Sequence, residues 1–104
     1  MCGRFTLINK KLIQAKYGLS WEPAYNIAPS DNVLISIGNN LLFTKPWGYS
    51  PVWYQSGKIL INARIESLND KPSYKDVIRC VVLADGWYEW KKEKNTKVPY
   101  YHHA

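Results

Sequence analysis

Apolar residues fall in short runs broken by glycine, proline, asparagine and charged residues, a spacing that predicts several strands and little helix. Residues 1–7 form a short mixed run that reads as a strand. Asn9 stands where an N-cap is expected before a helix over residues 10–17, and Gly18 ends that helix. Residues 20–30 hold Pro23 and Pro29 around Tyr25, Asn26, Ile27 and Ala28. Each proline drives the residue before it toward extended geometry, so this stretch is expected as an ordered, extended loop.

Residues 32–37 and 41–45 are β-branched or aliphatic runs joined by Gly38, Asn39 and Asn40, which tolerate positive φ, so a hairpin is expected. Residues 46–54 are aromatic and punctuated by glycine and proline, the pattern of a shaped loop. A short apolar strand is expected at 59–61, turn residues at 67–74, and a buried strand at 79–83. That strand meets Asp85-Gly86, a turn signal. In Trp87-Tyr88-Glu89-Trp90 strand alternation sets Trp87 and Glu89 on one face and Tyr88 and Trp90 on the other. Residues 91–97 are charged and aperiodic, as in a solvated hairpin loop before 98–101. The sum predicts an α+β, mostly β domain: a curled or barrel-like mixed or antiparallel sheet with one or two short helices.

Composition narrows the class. A chain of 104 residues fits one domain, and 46% hydrophobic with 14% aromatic residues excludes a disordered tail. Lys plus Arg number 14 against 8 acidic residues, giving a net charge of +6. A basic surface favours polyanions, and nucleic acid is the first partner to expect. Two cysteines are too few for a disulfide framework, and no apolar leader or run of roughly 18 residues suggests export or a membrane span. The expectation is a soluble cytoplasmic protein, nucleoid-associated if bacterial or phage-encoded, with no cofactor and no metal.

Cys2 carries the most chemistry. Removal of Met1 leaves a 1,2-aminothiol, whose amine and thiol have reference pKa values of about 7.7–8.0 and 8.5, so both nucleophiles are partly available near neutrality. The amine attacks an aldehyde to give an imine, and the thiol closes on the imine carbon as a five-membered thiazolidine. A ring-opened abasic deoxyribose offers such an aldehyde. The plain alternative is a cysteine serving only as a small hydrophobe.

Several segments together decide between these. Met1-Cys2-Gly3-Arg4-Phe5, Tyr25-Asn26-Ile27-Ala28-Pro29, Trp47-Gly48 with Pro51 and Trp53, Asn62-Ala63-Arg64 with Glu66, and Arg79-Cys80 followed by Asp85-Gly86-Trp87-Tyr88-Glu89-Trp90 occur in order across nearly the whole chain. In them the sequence resembles the SOS response-associated peptidase (SRAP) family. The resemblance implies a DNA-damage protein whose Cys2 forms a thiazolidine crosslink with abasic sites in single-stranded DNA. It also implies a peptidase activity, which would be autoproteolytic removal of the residue before Cys2 or release of the crosslinked peptide. A non-catalytic single-strand binding module is the further alternative.

By the same resemblance Glu89 is the acidic catalytic residue, moving protons during sugar opening and imine formation, and Asn62 is the active-site asparagine. A carboxyl group against apolar walls suits general-acid work. Arg4, Arg64 and Arg79 match positions that grip phosphates, where guanidinium forks take two oxygens. Trp47, Pro51 and Trp53 are candidates for stacking on or wedging between bases, or for core packing. Asn26 is either a site residue or a turn residue bonding its own backbone.

The departure from the family lies in length. Members carry, in their later half, a catalytic histidine within His-x-Arg-Met-Pro, and neither His102 nor His103 has those surroundings. A truncated chain, a partial gene product such as a prophage remnant, and a reduced member that completes its sheet with a second copy would each account for this. The last predicts a homodimer or strand-exchanged oligomer that covers unpaired strand edges.

Overall fold

The computed structural model describes residues 2–50, 59–71, 74 and 77–103, with backbone alone at residue 67. Pro51 and Trp53, two of the expected DNA contacts, lie outside the described residues, as does Met1. Among the described residues the first strand, β1 (Arg4–Leu7), leads into helix α1 (Lys10–Tyr17). The Asn9 side chain accepts from the Leu12 backbone N–H at 3.1 Å, and Gly18 closes the helix at φ 65° with its N–H on the Gln14 carbonyl, as the capping residues predict.

Strand β2 (Ala24–Ile27) occupies the expected extended loop and pairs antiparallel with β1. Pro23 and Pro29 bound this segment without interrupting it, so its backbone donors stay free for a ladder. The predicted hairpin forms as β3 (Asn32–Ser36) and β4 (Leu42–Pro46), turning through Asn39 and Asn40 at φ 57° and 55°. No named strand forms at 59–61: Leu60 makes an isolated bridge to Tyr49 instead. Ile65–Ser67 is a single 3₁₀ turn.

The expected buried strand at 79–83 is corrected. Only β5 (Val81–Val82) forms, and the two valines are 66% and 44% exposed. Pairing with β3 on one side leaves it at a sheet edge, so apolar composition did not translate into burial. The expected loop at 91–97 is likewise corrected. β6 (Gly86–Glu93) and β7 (Thr96–His103) form an eight-rung antiparallel ribbon that turns at Lys94 and Asn95. A ribbon exposed on both faces accepts charge at every position, which erases the alternation that betrays a strand.

The strands form two sheets, ordered β2-β1-β6-β7 and β4-β3-β5. Every pairing is antiparallel, and among the described residues the sheets do not close, so the α+β, mostly β class holds and the barrel-like part does not. Residues 81–86 pass from one sheet to the other: Leu83 N–H donates to Leu34 and Asp85 N–H donates to Thr6. Phe5, Leu7, Ile13, Ile27, Val33 and Leu34 form the buried core, drawn from β1, α1, β2 and β3. No described helix is long and apolar enough to cross a membrane.

Asp85 locks this arrangement. Its Oδ1 accepts from Thr6 Oγ1 at 2.8 Å, and its Oδ2 accepts from the Ile8 and Asn9 backbone N–H groups at 2.7 and 3.0 Å. Thr6 is 1% exposed, so its hydroxyl needs that partner. Asp85→Ala is expected to lower stability by about 2–4 kcal/mol, since hydrogen bonds to a charged acceptor are strong and orphaned donors costly. Urea denaturation of the two proteins checks this, and Asp85→Asn should recover part of the loss.

Candidate active site

Cys2 sits just before β1, half-buried, and its Sγ donates to the Arg4 carbonyl at 3.3 Å. It opens onto a cavity of about 380 Å³ lined by Phe5, Trp47, Val82, Ala84 and Trp87. Three distant stretches build this wall. The turn at Ala28-Pro29-Ser30-Asp31 is closed by Asp31 N–H to the Ala28 carbonyl and by Ala28 N–H to Asp31 Oδ2, with Ser30 at φ 76°. Ser30 N–H then donates to the Trp47 carbonyl, and Trp47 N–H to the Asp31 carbonyl, each at 2.8 Å. Trp47 is thereby held edge-on to Phe5, ring centroids 5.3 Å apart.

Gly48 permits this path. It lies at φ 124°, and a Cβ there would meet the Ile59 side chain at 2.7 Å. The third stretch is the crossing between sheets, where Val82 and Ala84 face the cavity before Trp87 closes it from β6. The cavity is apolar, with a thiol at its rim.

Glu89 lies on β6, half-buried, two residues beyond Trp87 and therefore on the same face. The β1–β6 register pairs Phe5 with Trp87 and Arg4 with Tyr88, so one further rung sets Glu89 against Gly3, next to Cys2. Glu89 does not line the Cys2 cavity itself. It borders a neighbouring cavity of about 270 Å³ with Trp90, Lys91, Tyr100 and His102. Trp87 joins the two, because it walls the first and stacks on His102, a wall of the second, at 5.3 Å and 15°.

The other expected site residues are more dispersed. Arg4 is half-buried on β1, opposite Tyr88, with Nη1 donating to the Gly3 carbonyl at 3.0 Å. Asn26 is exposed on β2. Asn62 is exposed, and its backbone carbonyl accepts from the Tyr74 hydroxyl at 3.2 Å. Arg64 is exposed before the 3₁₀ turn, and Arg79 is exposed with Nη2 on Asn69 Oδ1 at 3.4 Å. The structure thus brings Cys2 and Trp47 to one cavity and Glu89 to its neighbour. Asn26, Asn62, Arg64 and Arg79 stand outside the described lining of both.

Three contributors escaped the sequence pattern. Val82 and Ala84 line the Cys2 cavity although they read as strand interior and spacer. Tyr100, on β7 opposite Glu89, donates to Glu93 Oε1 at 2.5 Å. That hydrogen bond, with a smaller contribution from desolvation, raises the Tyr100 pKa above its usual 10.0. The contact is therefore intact below pH 10 and weakens as pH climbs through the raised value. Strand alternation puts Glu93 and Tyr100 on one face of the ribbon, but the register pairs them with Thr96 and Glu89, so no spacing signal brings the two together.

Comparison with known proteins gives the same segments a common context. The family model described as SOS response associated peptidase (SRAP) matches residues 1–104. The chain is 40% identical, over an alignment 121 positions long, to the abasic site processing protein YoqW of Bacillus subtilis (strain 168), covering 95% of this chain and 52% of that protein. It is 40% identical over 83 residues to the abasic site processing protein YedK of Escherichia coli (strain K12), covering 74% and 37%. The crystal structure of a phage-related protein from Bordetella bronchiseptica superposes with a TM-score of 0.75 at 32% identity, covering 98% of this chain and 55% of that one. The chain spans about half the length of the first of these relatives and of the solved structure. With the match running from the first residue to the last, the chain belongs to the SOS response-associated peptidase family.

Proposed function

We propose that this chain captures abasic sites in cytoplasmic single-stranded DNA as a covalent adduct on Cys2. Removal of Met1, by an aminopeptidase or by autoproteolysis at Cys2, frees the α-amine. The amine adds to the C1 aldehyde of the ring-opened sugar and water leaves, giving an imine. The Cys2 thiol then adds to the imine carbon, its proton passes to nitrogen, and the thiazolidine closes with one water lost overall. Glu89 donates and accepts the protons of these steps.

The observation that carries this reading is the placement of the Cys2 thiol at the rim of an apolar cavity, with Glu89 on the same face of β6 as its Trp87 wall. An apolar wall excludes bulk water from an imine that water would hydrolyse. The names of the curated relatives, abasic site processing proteins, support the same substrate. Incubating the chain with a single-stranded oligonucleotide carrying one abasic site should yield a heat-stable protein–DNA adduct. The same oligonucleotide with an intact base at that position should yield none, and equal adduct from both would overturn the assignment.

One observation favours a second reading, a non-catalytic single-strand binding module: Asn62, Arg64 and Arg79 stand apart from the Cys2 cavity. Arg4, Arg64 and Arg79 would then act as phosphate contacts alone. Three such contacts on a single strand give a slope of log affinity on log salt of about −2, or roughly a twentyfold loss between about 50 and 200 mM salt. Anisotropy titrations measure this. Under the second reading Arg64→Ala reduces the slope by about 0.7 while Cys2→Ala changes nothing. Under the first, Cys2→Ala removes the fraction of complex that survives denaturation.

A further inference from the structure

The face of the β6–β7 ribbon that carries Trp87 is an aromatic surface continuous with the Cys2 cavity. Trp87, Glu89 and Lys91 share one face of β6, and the register pairs them with His102, Tyr100 and Val98 on β7. Trp87 and Tyr100 are 44% and 43% exposed, and His102 is exposed too. Such rings at a sheet edge stand free only where something stacks on them or where exposure is tolerated, and two features favour the first.

The rings are held in place before any ligand arrives. Tyr100 is tethered through its hydroxyl to Glu93, and His102 lies nearly parallel to Trp87 at 5.3 Å, 15° from coplanar. A fixed aromatic surface loses little conformational entropy when a flat ligand settles on it. One cation is placed to meet a phosphate. Lys91 lines the cavity of about 270 Å³ between these rings together with Glu89, whereas Lys92 and Lys97 pair on the opposite face of the hairpin.

We infer that Tyr100 and His102 form a stacking seat for the nucleobase next to the abasic residue, with Lys91 on the adjoining phosphate. The inference rests on the reading of Cys2 as the group that meets the abasic sugar, because Trp87 is the shared wall that sets one nucleotide beside the other. Single-stranded DNA is the one occupant: every base presents a π-face, so the seat is tolerant of sequence. Phe5 and Trp47 bound the Cys2 cavity away from β7, so the seat serves the neighbour on one side of the lesion only.

The test uses the full chain and oligonucleotides whose lesion is a tetrahydrofuran, which has no aldehyde, so that binding is read without the covalent step. The nucleotide on the 5′ or on the 3′ side of the lesion is replaced in turn by a second tetrahydrofuran. One of the two replacements should weaken wild-type binding about tenfold. A Tyr100→Ala, His102→Ala double variant should lose about the same tenfold on the oligonucleotide with both bases, and lose nothing more when the base is removed. Wild-type binding unchanged within about twofold by either replacement overturns the inference, and because that arm alters only the DNA it stands even where the double variant does not fold. A variant that loses affinity equally with and without the base overturns it as well. Base dependence without any Cys2 adduct on a true abasic site would sink the covalent reading alone, and adduct formation without base dependence would sink the stacking seat alone.

Discussion

Cys2→Ala is expected to reduce the heat-stable adduct with abasic single-stranded DNA to the level of an aldehyde-free control. The substitution removes the thiol and leaves an α-amine, so the imine still forms and borohydride still traps it. What disappears is ring closure, the step that makes the product resist heat and hydrolysis. Gel electrophoresis after denaturation, with and without borohydride, separates the two species. A Cys2→Ala protein that gives as much heat-stable adduct as wild type would place the nucleophile elsewhere.

Gly86→Val is the substitution expected to damage the fold most. Gly86 is buried, and a Cβ built on it would fall onto the hydroxyl and ring of Tyr101. Tyr101 has no easy retreat. Its hydroxyl bonds Thr6 Oγ1 at 2.9 Å, and its ring packs against Tyr88 at 5.1 Å and His103 at 5.6 Å. Overpacking of this kind costs about 3 kcal/mol or more, which for a domain of this size is a fall in Tm of roughly 12 °C or more. Thermal unfolding followed by circular dichroism reads it. Adding Tyr101→Ala removes the obstacle, so the double variant should be less destabilised than the sum of the two single changes.

Gly86 and Asp85 also mark the limit of what the residues disclosed by themselves. Asp85-Gly86 reads as a turn signal, and the chain does change sheets there. Only the structure shows that the carboxylate fastens the β1–α1 junction and that the glycine makes room for Tyr101. Both partners lie many residues away, and composition carries no record of long-range pairs. Local signals fared better. Asn9 and Gly18 bounded α1 because caps act within one helical turn, and Gly38-Asn39-Asn40 fixed the β3–β4 hairpin because φ is a property of single residues.

Burial was the weakest inference. Val81 and Val82 look like core and lie at an edge, whereas the charged residues 91–97 look like loop and belong largely to β6 and β7. For the site, strand alternation placed Glu89 on the face of Trp87, whereas position by itself left Cys2 open between a nucleophile and a small hydrophobe until the other segments were read with it. The cavity that gives Cys2 its surroundings required the turn at residues 28–31, closed by the Asp31 carboxylate, to carry Trp47 onto Phe5 through two backbone hydrogen bonds between segments that no local pattern links.

The proposed adduct joins C1 of the abasic sugar to Cys2 alone, through its nitrogen and its sulfur. Protease digestion of the purified adduct followed by tandem mass spectrometry locates that attachment. The expected product is a crosslinked peptide that begins at Cys2 and weighs the sum of peptide and sugar fragment less one water, with the modification confined to Cys2. A crosslinked peptide that still carries Met1, or a sugar fragment attached to a lysine, would contradict it.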